Sequence, residues 1–319
     1  MTNRSDVPPW LDRQAYPFEQ RWFVLGSGAR VHYVDEGRGP TLLFVHGTPT
    51  WSFEWREQIK ALSPRFRCLA LDLVGMGLSD RPDPFAYTPE AHSAAVSEFV
   101  NGLDLRDVTL IVHDFGGPIG LPLALENSSR VRRLVILNTF AWSLENDADV
   151  RRPAFLLGGE LGRWLYKYAN LSLRMLMPSA FADRSVLTPD IHKQYLLVFQ
   201  EPEARGRVLH AFARALLGSS QYFREIEGRL NALRRIPVLI VWGTKDPAFR
   251  ETQLDRWIAA LPHAHVVRLP VGHWPQEEAP AAVNAALQSF LEEAPVSPAV
   301  DAERATSPTT QHLSRETAV

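Results

Sequence analysis

Asp114 occupies a position in the sequence from which a side chain can act as a nucleophile. It ends the apolar run Val108-Thr-Leu-Ile-Val-His-Asp, and Phe-Gly-Gly-Pro follows it before a helix-like stretch at 118–126. A strand, a tight glycine turn and a helix in this order lift the central residue above the edge of a sheet, where many enzymes place a serine. An aspartate at this position predicts an ester intermediate on its carboxylate.

A carboxylate nucleophile restricts the reactions that the chain can catalyse. It is already ionised near neutral pH, so it can attack an electrophilic carbon without a base to remove a proton. A histidine is then needed to activate the water that hydrolyses the ester. Such a nucleophile suits alkyl halides or epoxides. It suits carboxylic esters poorly, because attack there would leave an anhydride.

Two further polar residues follow predicted strands and complete a candidate site. Asp246 follows the run Pro237-Val-Leu-Ile-Val-Trp-Gly-Thr-Lys, and His273 lies beyond the next strand in Val271-Gly-His-Trp-Pro. The carboxyl ends of parallel strands meet at one edge of a sheet, so Asp114, Asp246 and His273 are expected to converge there. Asp246 would fix the tautomer of His273 and stabilise its charged form.

The pattern around these residues predicts a mostly parallel central sheet flanked by helices, because short aliphatic or β-branched runs alternate with longer amphipathic segments. Arg21–Leu25 and Arg30–Asp35 predict an opening hairpin around Gly26-Ser-Gly. The predicted buried strands are Thr41–Val45, Arg67–Leu71, Val108–Val112, Val131–Leu137, Pro237–Trp242 and His265–Leu269. The predicted helices are Phe53–Leu62, Pro89–Leu103, Pro118–Glu126, Glu251–Ala260 and Ala279–Phe290.

The alternation of strands and helices breaks once, between about residues 141 and 229. This stretch is rich in Leu, Arg and aromatic residues and has no clear central strand. It predicts a helical cap domain at 141–229, inserted after the sixth strand into a core domain formed by 1–140 and 230–293. Residues 294–319 are rich in Pro, Ser, Thr and Ala, which predicts a disordered tail.

The composition excludes several classes of function. The chain has 319 residues, is 45% hydrophobic and has a formal net charge of −2, so it can form a large core with an insertion. It has no basic stripe for nucleic acid and no apolar segment for a signal or a membrane span, so neither partner is expected and the location is expected to be cytoplasmic. The single cysteine, Cys68, is predicted to pack in the core. A monomer or small homo-oligomer is expected.

The chain resembles the haloalkane dehalogenases and epoxide hydrolases, one branch of the α/β-hydrolase superfamily. The resemblance covers about residues 20–292 and rests on four stretches. These are His46-Gly-Thr-Pro, Val112-His-Asp-Phe-Gly-Gly, Trp242-Gly-Thr-Lys-Asp and Gly272-His. The longer string His46-Gly-Thr-Pro-Thr-Trp-Ser-Phe-Glu-Trp-Arg is closer to the dehalogenases. The order nucleophile, acid, histidine is also that of α/β hydrolases.

The resemblance implies an α/β-hydrolase fold with an inserted helical cap. It assigns Asp114 as nucleophile, His273 as base and Asp246 as acid. It further implies that small hydrophobic haloalkanes are hydrolysed to alcohol and halide through an alkyl-enzyme ester. Water is then the second substrate, and neither a cofactor nor a metal is required.

Two residues depart from the dehalogenase pattern, and both concern the binding of the leaving halide. Dehalogenases usually follow the nucleophile with a tryptophan, whose indole N–H binds halide, and this chain has Phe115, whose ring has no donor. Many have asparagine where this chain has Thr48. Losing such a donor removes about 1.5–3 kcal/mol, or roughly one to two powers of ten in rate. The backbone N–H of Phe115, the backbone or hydroxyl of Thr48, and Trp164 of the cap are the remaining candidates.

The sequence is also compatible with two other functions. An epoxide hydrolase would need a pair of cap tyrosines to protonate the opening ring, and Tyr166, Tyr168, Tyr195 and Tyr222 are the candidates. A catalytically silent ligand-binding protein of the same fold would keep the pocket without turnover. The presence of the whole set of nucleophile, acid and histidine argues against a binding protein, because binding does not require all three.

Overall fold

A computed structural model describes residues 7–126 and 130–292, so the expected tail at 294–319 lies outside the described residues. The described chain forms one eight-stranded sheet with the order β1-β2-β4-β3-β5-β6-β7-β8. The strands are β1 Arg21–Val24, β2 Arg30–Glu36, β3 Thr41–Val45, β4 Arg67–Leu71, β5 Val108–Asp114, β6 Val131–Thr139, β7 Val238–Gly243 and β8 His265–Leu269. The predicted positions of all eight strands are confirmed.

The sheet is mostly parallel, as predicted. The opening hairpin β1–β2 is antiparallel, and β2 also pairs with β4 in antiparallel register. Every other neighbouring pair is parallel. Strands β5 and β6 each continue two residues beyond their predicted ends, to Asp114 and Thr139. The carboxyl ends of these strands therefore carry polar residues that lie beyond the predicted strands.

Burial along the strands follows their place in the sheet. All seven residues of β5 are buried, as expected for a central parallel strand covered on both faces. The prediction that His265–Leu269 is a buried strand is wrong, because β8 is an edge strand and each of its five residues is exposed or intermediate. A strand with one neighbour has less of its surface covered, and an apolar sequence does not reveal that position.

The helices that flank the sheet agree with most of the predicted ones. They are α1 Arg56–Leu62, α2 Pro89–Gly102, α3 Gly116–Glu126, α11 Glu251–Ala260, α12 Pro275–Glu278 and α13 Pro280–Glu292, and the helices numbered between α3 and α11 lie between β6 and β7. The predicted helix at Phe53–Leu62 begins as a 3-10 turn at Ser52–Trp55. The short α12 was not predicted. Within the described ranges, no helix combines the length and apolar character needed to cross a membrane.

The chain between β6 and β7 is helical, and its described residues contain no strand. Its elements are α4 Ala148–Gly158, α5 Glu160–Trp164, α6 Met177–Ser179, α7 Pro189–Val198, α8 Pro202–Ala204, α9 His210–Gly218 and α10 Ser220–Glu227, with π-type turns at Leu165–Ala169, Ser172–Leu176 and Arg205–Leu209. We call residues 141–229 the cap segment. Its Phe212 packs on Phe115 with ring centroids 5.0 Å apart, so the cap segment reaches the residue next to Asp114.

Cys68 lies fully buried in β4, as predicted. Burial, together with the charges of Glu36 and Asp35, raises the pKa of its thiol to about 12. Because the thiolate is the nucleophilic form of cysteine, this side chain is inert at neutral pH and serves in packing.

Candidate active site

Asp114 stands at the end of β5 in a strained backbone conformation. Its φ is 51°, in the left-handed region that residues other than glycine seldom adopt. The hydroxyl of Thr139 donates to the backbone carbonyl of Asp114 and supports this turn. The next helix begins at Gly116, where a Cβ would overlap the carbonyl oxygen of Val45, so only glycine allows strand and helix to approach this closely. The strand, tight turn and helix predicted around Asp114 are present.

The carboxylate of Asp114 is held by the loop that follows β3. Its Oδ1 accepts a hydrogen bond from the backbone N–H of Thr48 at 2.7 Å. A Cβ on the preceding Gly47 would overlap the carboxylate, so this approach also requires glycine. The N–H of Thr48 therefore contacts the nucleophile itself. An N–H in this place can stabilise the oxyanion that forms when water attacks an ester of Asp114.

His273 lies between Asp114 and Asp246. Its Nδ1 is 2.7 Å from Oδ2 of Asp246, and its Nε2 is 3.5 Å from Oδ2 of Asp114. His273 is 4% exposed, Asp246 is 3% exposed and Asp114 is 6% exposed. The structure therefore brings together the three side chains that the sequence predicted to converge, in a site largely closed to solvent.

The two carboxylates determine the electrostatics of His273. Burial alone would lower the pKa of its imidazole, but the charge of Asp246, the hydrogen bond to Asp246 and the close contact with the charged Asp114 outweigh burial and raise the pKa to about 10. Burial has the opposite effect on a carboxyl group and alone would raise the pKa of Asp246. The charge of His273 and hydrogen bonds from three donors outweigh burial and lower this pKa. With Asp114 ionised, the site therefore holds an imidazolium between two carboxylates.

Asn138 is a site residue that the sequence analysis missed. Its Nδ2 donates to Oδ2 of Asp246 at 2.8 Å and to the carbonyl of Gly243 at 3.1 Å, and its Oδ1 accepts from the N–H of Gly243 at 2.7 Å. It is fully buried and fixes the end of β7 that carries Asp246. The signal was a polar residue directly after the predicted strand Val131–Leu137, beside the strand that precedes Asp246.

The candidate halide-binding residues differ in their surroundings. Phe115 is buried, and its ring contacts both Phe140 and Phe212, so it forms an apolar wall beside the nucleophile. In the described ranges its backbone N–H donates to no residue. The expectation that Trp164 binds the leaving group is wrong. Trp164 is 54% exposed and packs on the equally exposed Tyr168, so its indole faces solvent.

The four tyrosines of the cap segment are also distinguished by their contacts. Tyr168 is 56% exposed, Tyr195 donates to Glu277, and Tyr222 donates to a backbone carbonyl at 2.9 Å. Tyr166 is buried, and burial together with the charge of Asp114 raises the pKa of its phenol. Within the described part of the chain, its hydroxyl has no hydrogen-bond partner. Of the four, only Tyr166 is a buried tyrosine whose hydroxyl has no hydrogen-bond partner among the described residues.

Comparison with known proteins identifies the family. A family model described as alpha/beta hydrolase fold matches residues 40–280. Haloalkane dehalogenase 2 of Mycobacterium tuberculosis is 38% identical, over 86% of this chain and 96% of that protein. The chain belongs to the haloalkane dehalogenase family of α/β hydrolases. The α/β-hydrolase fold inferred from the sequence is thereby confirmed.

The proteins similar to this chain include enzymes that are named for different reactions. The cis-3-alkyl-4-alkyloxetan-2-one decarboxylase of Shewanella oneidensis is 30% identical, over 87% of this chain and 89% of that protein. Among solved structures, haloalkane dehalogenase DatA of Agrobacterium tumefaciens C58 is 26% identical and superposes with a TM-score of 0.78, over 88% of this chain and 99% of that one. These comparisons identify the family, and the substrate is inferred from the geometry of the site.

Proposed function

We propose that this dehalogenase-family enzyme hydrolyses haloalkanes to an alcohol and a halide through an alkyl-enzyme ester on Asp114. The observation that supports this most directly is the placement of His273, whose two ring nitrogens face Asp114 at 3.5 Å and Asp246 at 2.7 Å. A carboxylate nucleophile facing a histidine that is oriented by a second acid supplies both halves of the reaction.

In the first step, a carboxylate oxygen of Asp114 attacks the carbon that bears the halogen. A carbon–oxygen bond forms, the carbon–halogen bond breaks, and the electron pair of that bond leaves with the halide. The aromatic wall of Phe115, Phe140 and Phe212 keeps water from the carboxylate, which makes it a stronger nucleophile. The N–H of Phe115 is available to the departing halide.

In the second step, water attacks the carboxyl carbon of the ester while His273 accepts a proton from it. The ester no longer carries the negative charge of Asp114, so one of the two groups that raise the pKa of His273 is lost. The imidazolium then releases its proton to solvent, and the neutral imidazole serves as the base. The N–H of Thr48 stabilises the oxyanion. The intermediate then breaks its bond to the alkoxide, which takes the proton from His273 and leaves as the alcohol. The carboxylic acid left on Asp114 passes its remaining proton to His273, so that the carboxylate and the imidazolium are both restored.

Tyr166 is the proposed leaving-group donor in place of Trp164. The residue is buried, its hydroxyl has no hydrogen-bond partner among the described residues, and the pKa of the phenol is raised by burial and by the charge of Asp114. A neutral phenol can donate one hydrogen bond to a halide. The phenol and the backbone N–H of Phe115 would then be the two hydrogen-bond donors to the halide, in place of the tryptophan indole that this chain lacks.

The decisive experiment traps the ester. Purified His273→Gln is incubated with 1-bromobutane or 1,2-dibromoethane, and its intact mass and released halide are measured. We expect a stoichiometric release of bromide and a mass increase of one alkyl group, because attack by Asp114 does not need His273. Asp114→Asn is the matched control and should give neither signal. Absence of an adduct in His273→Gln with both substrates would refute the mechanism.

A second candidate function is decarboxylation of a β-lactone. The relative from Shewanella oneidensis is named for this activity, and Phe115 lacks the side-chain donor that a halide would use. Alkene and carbon dioxide released from a 3,4-dialkyl-oxetan-2-one, without halide release from any bromoalkane, would favour it. An epoxide hydrolase is less compatible with the cap segment, because Tyr195 and Tyr222 are engaged elsewhere and Tyr168 is exposed.

The proposal includes an arrangement and a setting for the enzyme. Residues 141–229 serve as a cap domain on a core formed by 1–140 and 230–293, and the cap contributes Tyr166 and Phe212 to the site. The substrate is a small hydrophobic molecule, since the walls described above are aromatic. The enzyme works in the cytoplasm as a monomer or small homo-oligomer, with no nucleic acid or membrane as a partner.

A further inference from the structure

A second pair, also made of a buried acid and a buried histidine, lies beside His273. Glu54 and His113 are both fully buried, and Oε1 of Glu54 is 3.3 Å from Nδ1 of His113. The other nitrogen of His113, Nε2, is 2.9 Å from the backbone carbonyl oxygen of His273, and the two imidazole rings have centroids 4.8 Å apart. We propose that the Glu54–His113 pair positions His273 for hydrolysis of the ester, an inference that rests on the proposed function.

The polar atoms determine where the protons lie in this pair. A backbone carbonyl can only accept, so Nε2 of His113 carries a proton and donates to His273. In the described residues neither Nδ1 of His113 nor Oε1 of Glu54 has a hydrogen-bond partner, so the 3.3 Å contact between them is electrostatic. Glu54 therefore faces the ring nitrogen of His113 that does not bind His273.

The pair also connects the two loops that carry the site. The second carboxyl oxygen of Glu54 accepts a hydrogen bond from the hydroxyl of Thr50, which lies 3.2 Å from the carbonyl oxygen of Gly47. Gly47 precedes Thr48, whose N–H holds Asp114. One chain of contacts thus runs from the loop that fixes the nucleophile to the backbone of the histidine.

The backbone of His273 is fixed on both sides by these contacts. Its N–H donates to the carbonyl of Ala180 in the cap segment at 2.9 Å, and its carbonyl accepts from His113. Asp246 binds the ring but leaves the position of the backbone free. A fully buried carboxylate costs free energy compared with an apolar side chain, so a contact with the catalytic histidine gives this pair a use beyond packing.

The two halves of the reaction should respond differently when the pair is removed. Alkylation requires the carboxylate of Asp114 and the halide donors, and among the described residues the side chain of His113 makes no hydrogen bond or ring contact with them. Ester hydrolysis requires Nε2 of His273 at a precise distance from the attacking water, and a displacement of about 1 Å can cost roughly 100-fold. We therefore expect His113→Leu to slow hydrolysis by about 10- to 100-fold and to leave alkylation within about twofold.

The test measures the two rate constants separately in the full-length enzyme. Rapid-quench release of bromide from 1-bromobutane gives alkylation, and the decay of the alkyl-enzyme by intact mass gives hydrolysis. His113→Gln should restore most of the hydrolysis rate, because its amide can still donate to the carbonyl of His273. The double variant Glu54→Leu/His113→Leu removes both buried polar partners, so it should fold and still accumulate the ester.

His32 provides a matched control. It is fully buried and pairs through Nδ1 with Asp72 at 2.7 Å, but its ring contacts none of the three site residues in the described ranges. His32→Gln should lower Tm without changing the ratio of the two rate constants. A proportional fall of both rate constants in the His113 variants would overturn the inference. A wild-type enzyme that forms no ester from either bromoalkane would instead overturn the proposed function, and the inference with it.

Discussion

Nε2 of His273 lies 3.5 Å from Oδ2 of Asp114, within the range of an ion pair but longer than a well-formed hydrogen bond. In the free enzyme the charge of Asp114 helps to keep this imidazole protonated, and an ester on the same carboxylate removes that charge. The nucleophile therefore controls the basicity of the residue that later releases it. This coupling sets the order of the two steps, because His273 becomes a base only after Asp114 has reacted.

This coupling predicts different pH profiles for the two half-reactions. The pKa of His273 is raised to about 10 in the free enzyme, and it should be lower in the ester, where Asp114 is neutral. Hydrolysis needs the neutral imidazole, so its rate constant should fall at low pH and rise to a plateau with a midpoint well below 10. Alkylation needs only the ionised Asp114 and should stay within about twofold from pH 6 to 9.

Rapid-quench measurements with 1-bromobutane between pH 6 and 10 would separate these profiles. Asp246→Asn provides a comparison, because it removes the remaining negative charge beside His273 and should move the midpoint of hydrolysis to lower pH. A common midpoint for alkylation and hydrolysis in the wild-type enzyme would contradict the coupling.

A second prediction concerns Asn138, which donates to Asp246 at 2.8 Å. Asn138→Ala leaves the buried carboxylate with one donor fewer and frees the end of β7. We expect a loss of about 1–3 kcal/mol in the free energy of unfolding and roughly a tenfold fall in ester hydrolysis, with alkylation less affected. Chemical denaturation and single-turnover kinetics measure the two effects.

Asn284→Ala is the matched control for that variant. It removes an amide-to-backbone bond of 3.3 Å between Nδ2 and the carbonyl of Glu57, on the helix α13. It should change stability only slightly and leave both half-reactions intact. Equal effects of the two substitutions on hydrolysis would show that Asn138 has no special relation to Asp246.

The sequence predicted most of the fold because strands and helices leave local signals. Each buried strand is a short apolar run, and the site residues follow such runs, so topology alone brings Asp114, Asp246 and His273 together. The edge position of β8 was missed because burial depends on neighbours that a local pattern does not contain. Asn138 was missed for a related reason, since β6 continues beyond its apolar run to Thr139.

The remaining errors concern which way side chains face. Trp164 and Tyr166 are two residues apart in a stretch with aromatic residues on every side, and the chain passes there into a π-type turn at Leu165–Ala169. Helical periodicity cannot decide which ring points inward in such a segment. The Glu54–His113 contact joins residues far apart in sequence, and their types alone give no indication that they meet.

A third prediction concerns the hydroxyl of Tyr166. Tyr166→Phe removes this hydroxyl while keeping the buried ring, so it should slow alkylation by about tenfold through loss of a hydrogen bond to the departing halide. The effect should be larger for 1-chlorobutane than for 1-bromobutane, because chloride is the poorer leaving group and depends more on stabilisation. Rapid-quench halide release from both substrates measures it.

The exposed Tyr168 supplies the control for that experiment, since Tyr168→Phe removes a hydroxyl from a residue that is 56% exposed. It should leave alkylation of both substrates unchanged. If Tyr166→Phe alkylates 1-chlorobutane as fast as the wild type, the phenol is not the halide donor. The backbone N–H of Phe115 would then carry that role without it.

The last prediction concerns His92, a buried histidine outside the catalytic site. It is fully buried and stacks on Phe212 at 5.1 Å, and in the described part of the chain neither ring nitrogen has a hydrogen-bond partner. Burial, with a smaller contribution from the charge of His46, lowers the pKa of His92 from its ordinary value of 6.5 to about 3. The folded protein therefore binds fewer protons at this position than the unfolded chain between these two pH values.

The sign of the effect follows from linkage. Stability falls as pH decreases from about 6.5 towards 3, because the unfolded chain takes up the proton first. His92→Phe removes this penalty and preserves stacking on Phe212, so its Tm should fall less than that of the wild type between pH 7 and 4. The exposed His263→Phe should follow the wild type. Parallel Tm curves for wild type and His92→Phe would mean that His92 is hydrated in solution and titrates normally.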